Sequence, residues 1–214
     1  MSIRTNGGWL RLDGTARQPS GCASSSDTAP LLRLAERLCV ALHSVAEPAL
    51  DAASLLATLE RRGVRFIVIG GLAAVLHGAP YQTVDCDITP EDSADNLGRL
   101  SAALDELHAR IWTGQDGGFE FRHDARSLKD ARIWNLITEY GLLDISFEPA
   151  GTRGYADLIK RAVVVEVGAT SFAVASLEDV IRSKQAAGRD KDVRVLPLLR
   201  RMLADGVQLN QEKK

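Results

Sequence analysis

Phe66-Ile67-Val68-Ile69-Gly70-Gly71-Leu72 runs on to Gly78, and Thr83-Val84-Asp85-Cys86-Asp87-Ile88 follows. Phe66 to Ile69 is short, wholly apolar and β-branched, the pattern of a strand buried on both faces. The two glycines that interrupt it let the backbone turn sharply and approach a neighbour closely. Leu72 to Leu76 reads as a short helix closing at Gly78, and a helix opening after a strand presents free N–H groups suited to a phosphate. Thr83 to Thr89 alternates and reads as a second strand. Residues two apart on a strand share a face. Asp85 and Asp87 then stand side by side, with Cys86 on the opposite, buried face as a small hydrophobe. Two like charges so close call for a compensating cation.

A third carboxylate comes from farther along. Ile133 to Glu139 and Leu142 to Phe147 are apolar runs separated by Tyr140-Gly141, which reads as a hairpin. Asp144 lies on its second strand among Leu142, Leu143, Ile145 and Phe147, so its charge needs a partner. Three such acids suit Mg2+ (or Mn2+), which binds through a few carboxylates plus substrate phosphates rather than a full protein cage. Asp85 and Asp87 are expected to hold the metal on the triphosphate of an NTP. Asp144 is expected to serve a second metal and the acceptor hydroxyl. The implied chemistry is phosphoryl transfer by positioning and charge neutralisation, with no covalent nucleophile.

Around this centre, helices alternate with strands. Leu31 to Leu42 has helical spacing, Asp51 caps a second helix ending at Gly63, and Leu97 to Trp112 reads as an amphipathic helix. Val163 to Val167 and Phe172 to Val174 form a smaller hairpin, and Leu177 to Leu203 reads as helix with a break near Gly188. The expected class is α/β (α+β), with a mixed central sheet flanked by helices and a C-terminal helical lobe. The expected division is a poorly ordered leader at 1–29, a core with N-terminal helices at 30–150, and a mostly helical lobe at 151–214. His77 is expected to pack near the end of its short helix, and Trp112 and Trp134 to sit in the core.

Composition narrows the classes further. The chain has 214 residues, 45% hydrophobic and 25% charged, values that support a packed core. A net charge of −2 makes any anion site local. Cys22, Cys39 and Cys86 are odd in number and without metal spacing, which points to a reducing cytoplasm rather than a disulfide framework. No apolar run is long enough to span a membrane. The positive charge is concentrated near the C-terminus. Arg182, Lys184, Arg189, Lys191, Arg194, Arg200 and Arg201 face only Asp190 and Asp192, an excess of five. Such a segment can grip a triphosphate and offer its outer face to a polyanionic acceptor.

Taken together, these stretches resemble the nucleotidyltransferase superfamily that includes DNA polymerase beta, and within it the AbiEii/MenT-like toxin branch. Phe66 to Pro80 with Thr83 to Ile88 is similar to that branch's Gly-Gly and Thr-x-Asp-x-Asp signature. Gly141 to Ile145 is similar to its third-carboxylate strand. Ser176 to Lys184 with Ala187 to Asp192 is similar to its C-terminal helix-turn signature. The likeness runs from about Phe66 to Leu199. It implies the toxin of a toxin–antitoxin pair, adding nucleotides to the 3′ end of tRNA, with an antitoxin protein as a further partner. It also implies that Gly70, Gly71, Lys184, Arg189, Lys191 and Asp192 serve the nucleotide, with Lys184 on its phosphates and Asp192 orienting that lysine. The chain departs from the family at three points. It has Gly70-Gly71 where the wider superfamily has Gly-Ser, and Tyr81 and Val84 where the branch often carries basic residues. Transfer to a protein side chain (AMPylation) or a small molecule, and a non-catalytic binding protein on the same fold, are the alternatives.

Overall fold

The computed structural model describes residues 2–5, 8–11, 48–114, 117–168 and 170–206. The chain divides into two compact units, Met1–Ser44 and Val45–Lys214. In the first, β1 (Ser2–Thr5) and β2 (Gly8–Arg11) pair as an antiparallel hairpin from Ser2↔Arg11 to Thr5↔Gly8. The helix expected at Leu31 to Leu42 lies outside the described residues, as does most of the expected leader.

The second unit is built on a seven-stranded mixed sheet. Its strands are β3 (Phe66–Val68), β4 (Asp85–Pro90), β5 (Arg110–Ile111), β6 (Ile133–Thr138), β7 (Gly141–Ser146), β8 (Val163–Val167) and β9 (Thr170–Val174), in the spatial order β5-β6-β7-β4-β3-β9-β8. The β4–β7 and β3–β9 pairs are parallel, and the other four are antiparallel. The apolar run 66–68 is indeed buried on both faces, between β4 and β9. β8 and β9 are the expected smaller hairpin, and they extend this same sheet because β9 supplies β3 with its second neighbour.

Seven helices accompany the sheet among the described residues. α1 (Ala52–Arg61) starts where the Asp51 carboxylate accepts from the Ser54 N–H at 3.1 Å, and buries Leu55, Leu56 and Leu59. α2 (Gly70–Leu76) follows β3 directly. α3 (Ala94–Glu106) begins three residues before its expected start, because Ser93 caps it. It also ends earlier than Trp112: His108 turns to a φ of 49°, and Arg110–Ile111 becomes the edge strand β5. Pairing with β6 supplied those residues with partners, and a helical pattern cannot foresee that. Buried Asn96 clips α3 to the sheet. Its carbonyl accepts from the Arg65 N–H at 2.7 Å, and its amide donates to the carbonyls of Arg65 (2.9 Å) and Glu91 (2.8 Å).

α4 (Ala125–Asp130) and α5 (Tyr155–Leu158) are short helices the periodicity does not show. α6 (Leu177–Ala187) and α7 (Asp190–Ala204) meet at Gly188, whose φ of 62° breaks the helix as expected. The core runs through both faces of the sheet, with Leu59, Ile67, Ile88, Leu100, Leu104, Leu143 and Leu199 shut off from solvent. No helix among the described residues is long and apolar enough to cross a membrane.

Candidate active site

Parallel pairing of two central strands assembles the acidic centre. Asp87 on β4 lies beside Asp144 on β7, and Asp85 lies beside Leu142. Alternation turns Cys86, Leu143 and Ile145 to the far side, where each is fully buried. Asp85, Asp87 and Asp144, each half-buried, each offer a carboxylate oxygen, and those oxygens lie within 4.8 Å of one another. The three acids expected from sequence therefore converge.

Each carboxylate is held by a neutral donor. The Thr83 hydroxyl donates to Asp85 Oδ1 at 2.7 Å. The Asn135 amide on β6 donates to Asp144 Oδ1 at 2.9 Å. The Gly71 N–H donates to the Asp87 carboxylate. The glycine pair is what permits this closeness. A Cβ at Gly70, whose φ is 64°, would lie 1.9 Å from Asp87 Oδ2, and one at Gly71 would lie 2.7 Å from the Thr83 hydroxyl. The glycines thus make room for Asp87 and for the Thr83 that holds Asp85, and the Gly71 N–H is already engaged by Asp87.

The electrostatics follow from crowding. Burial, then the charges of Asp85 and Asp144, push the Asp87 carboxyl up to about 7, against the pull of the Gly71 N–H and Lys184. Burial also raises Asp144; the Asn135 hydrogen bond pulls it down, the charge of Asp85 pushes it up, and Lys191 and Arg189 pull it down. Burial and the three acid charges push the Cys86 thiol far up, so it stays protonated and inert.

The basic groups come from the α6–α7 junction. Asp192, wholly buried, accepts from Lys184 Nζ at 2.8 Å and from Arg189 Nε at 2.6 Å. Burial works to raise its carboxyl, but these two partners hold it below the ordinary carboxylate value. The charge of Lys184 reaches Asp87, and those of Arg189 and Lys191 reach Asp144. Arg182 is turned elsewhere. It bridges Asp157 and buried Asp179, both at 2.8 Å, and Arg161 also binds Asp179. Its role is to anchor α6. His77 is buried at the end of α2 with Nε2 2.8 Å from the Ala175 carbonyl, as its packing role requires. Trp134 donates to the Leu128 carbonyl at 3.1 Å and packs on Phe121 and the core.

The sequence matches no family model and no curated protein. Among solved structures, the chain aligns with a candidate nucleotidyltransferase from Thermotoga maritima at 18% identity and a TM-score of 0.43, over 72% of this chain and 91% of that one. It also aligns with the antibiotic-resistance factor ANT(2″)-Ia in solution, at 16% identity and a TM-score of 0.47, over 73% of this chain and 84% of that one. The crystal structure of ANT(2″)-Ia with adenylyl-2″-tobramycin aligns at 16% identity and a TM-score of 0.42, over 72% and 88%.

Asn135 was not foreseen, although a signal for it existed. Counting back along the hairpin from Thr138↔Gly141 places Asn135 opposite Asp144.

Proposed function

We propose that this chain is a metal-dependent nucleotidyltransferase that moves a nucleoside monophosphate from an NTP to an acceptor hydroxyl. The observation that carries the reading is the gathering of three carboxylates within 4.8 Å on adjacent parallel strands. Among the described residues no Lys or Arg forms an ion pair with any of the three. Their donors are neutral, and crowding already drives one of them toward protonation. An all-oxygen acidic set of this kind fits a divalent cation such as Mg2+ or Mn2+. Asp85, Asp87 and Asp144 would hold it.

When bound, the cation supplies neutralisation of the triphosphate and makes the acceptor hydroxyl easier to deprotonate. The chain's own residues do the rest. The acceptor oxygen forms a bond to the α-phosphorus, the bond to the bridging oxygen breaks, and pyrophosphate leaves with that electron pair. Asp144 receives the hydroxyl proton. Lys184, held by Asp192, places its ammonium toward the phosphates, and Arg189 and Lys191 add positive charge on the Asp144 side.

The acceptor we propose is the 3′ end of tRNA, with the protein acting as the toxin of a toxin–antitoxin pair. Exposed Lys191, Arg194, Arg200 and Arg201 on α7 give that helix an excess of positive charge at its surface, which suits a phosphate backbone. The resemblance of the Thr83–Asp87 and Ser176–Asp192 stretches to the toxin branch supports the biological role. The test is incubation of the purified protein with each labelled NTP, Mg2+ and total tRNA. Label on tRNA 3′ ends is expected. Label on protein or on an added aminoglycoside would replace the acceptor while keeping the chemistry. No labelled product with any acceptor would overturn the enzymatic reading.

A further inference from the structure

Asn135 lies on β6, the strand on the other side of β7 from β4, and its backbone is fixed independently of its side chain. Its carbonyl accepts from the Trp112 N–H at 2.8 Å, and it sits opposite Asp144 in the hairpin register. The side chain is exposed, yet its amide donates to one oxygen of Asp144 at 2.9 Å. Asp144 is the one acid of the three that comes from a different strand. Asp85 and Asp87 share β4, whereas Asp144 reaches them from β7. A carboxylate on a strand has two rotatable bonds and two equivalent oxygens. With Oδ1 engaged by Asn135, rotation of the group is restrained while the carboxylate still offers an oxygen to the shared centre.

We propose that Asn135 is a positioning residue for the transfer site: it holds the Asp144 carboxylate in the orientation that lets all three acids serve one centre. This rests on the reading of the three acids as a divalent-cation site. Being neutral, Asn135 orients Asp144 without competing for its charge, as a Lys or Arg at position 135 would. Partners of this kind, behind the groups that touch an ion, typically contribute about 10–100-fold in affinity or activity.

The experiment is Mn2+ titration of the full chain, followed by electron paramagnetic resonance, alongside NTP turnover. The variants are Asn135→Ala, Asn135→Leu and Asn135→Gln. Because the side chain is exposed and the backbone hydrogen bond survives every substitution, melting in chelator should stay close to wild type. Asn135→Ala and Asn135→Leu are each expected to weaken Mn2+ binding by about tenfold or more and to lower kcat, with the NTP KM changed less than about twofold. Asn135→Gln, which keeps a donor amide, is expected to recover part of the loss. Mn2+ affinity within about twofold of wild type in the Ala and Leu variants, or a Gln variant no better than Ala, would overturn the proposal. A wild-type chain that binds no Mn2+ fails differently, since it removes the cation site and with it the reading on which Asn135 depends.

Discussion

Replacing Asp87 by Asn should stabilise the cation-free protein while abolishing transfer. Asp87 is half-buried among like charges, and its carboxyl is pushed up to about 7. An unfolded chain returns it to about 4. The native state therefore binds this proton more tightly than the unfolded state, and between those values it carries more protons. Stability accordingly falls as pH rises through the window from about 4 to about 7, and the full cost is present above it. A displacement from about 4 to about 7 corresponds to about 4 kcal/mol, and access of water to the half-buried acids reduces this to about 2–4 kcal/mol. Asn keeps the shape and can still accept from the Gly71 N–H, but it carries no charge. In chelator at about pH 8, Asp87→Asn should melt roughly 5–10 °C above wild type, and near about pH 4 the two should coincide. Mg2+ should raise the wild-type melting temperature at the higher pH and leave the variant nearly unmoved. A variant that melts at or below wild type in chelator at the higher pH, or a difference that ignores pH, would refute the reasoning.

Other expectations follow from the same geometry. Mn2+ affinity should drop about tenfold per pH unit below about 7, because binding must displace the Asp87 proton; a flat profile by calorimetry would contradict this. Gly70→Ala puts a Cβ 1.9 Å from Asp87 Oδ2 at a φ of 64°, so it should cost at least about 2 kcal/mol in denaturant melts and eliminate Mn2+ binding. Asp192→Ala strands the nearly buried Lys184 ammonium and should cost about 3–5 kcal/mol by the same melts. Lys184→Ala, in contrast, leaves Asp192 its Arg189 partner, so it should fold and mainly weaken NTP use in steady-state kinetics.

Much of this molecule was legible in local patterns, and the misses have a common origin. The buried run 66–68, the Tyr140-Gly141 hairpin and the helix break at Gly188 all depend on neighbours close in sequence. Periodicity and turn chemistry report those directly. α3 was read too long because residues 110–111 left the helical pattern only when β6 offered them a strand partner. The hairpin at 163–174 is legible in sequence, but its place beside β3 is not, because that pairing spans more than a hundred residues of chain.

The same division runs through the site. Sequence alone determined that Asp85 and Asp87 share a face, since strand alternation requires it, and that two glycines precede them. Which atoms those glycines accommodate was decided in three dimensions. Gly70 and Gly71 make room for Asp87 and Thr83, side chains that reach them only once β4 has folded back antiparallel to β3. That Asp144 lies beside Asp87 was likewise a matter of tertiary structure, because parallel strands are joined by long crossovers whose register no local pattern encodes. Asn135 joins the centre for the same reason. Its hairpin register is local, but its meaning appears only when β7 is laid against β4.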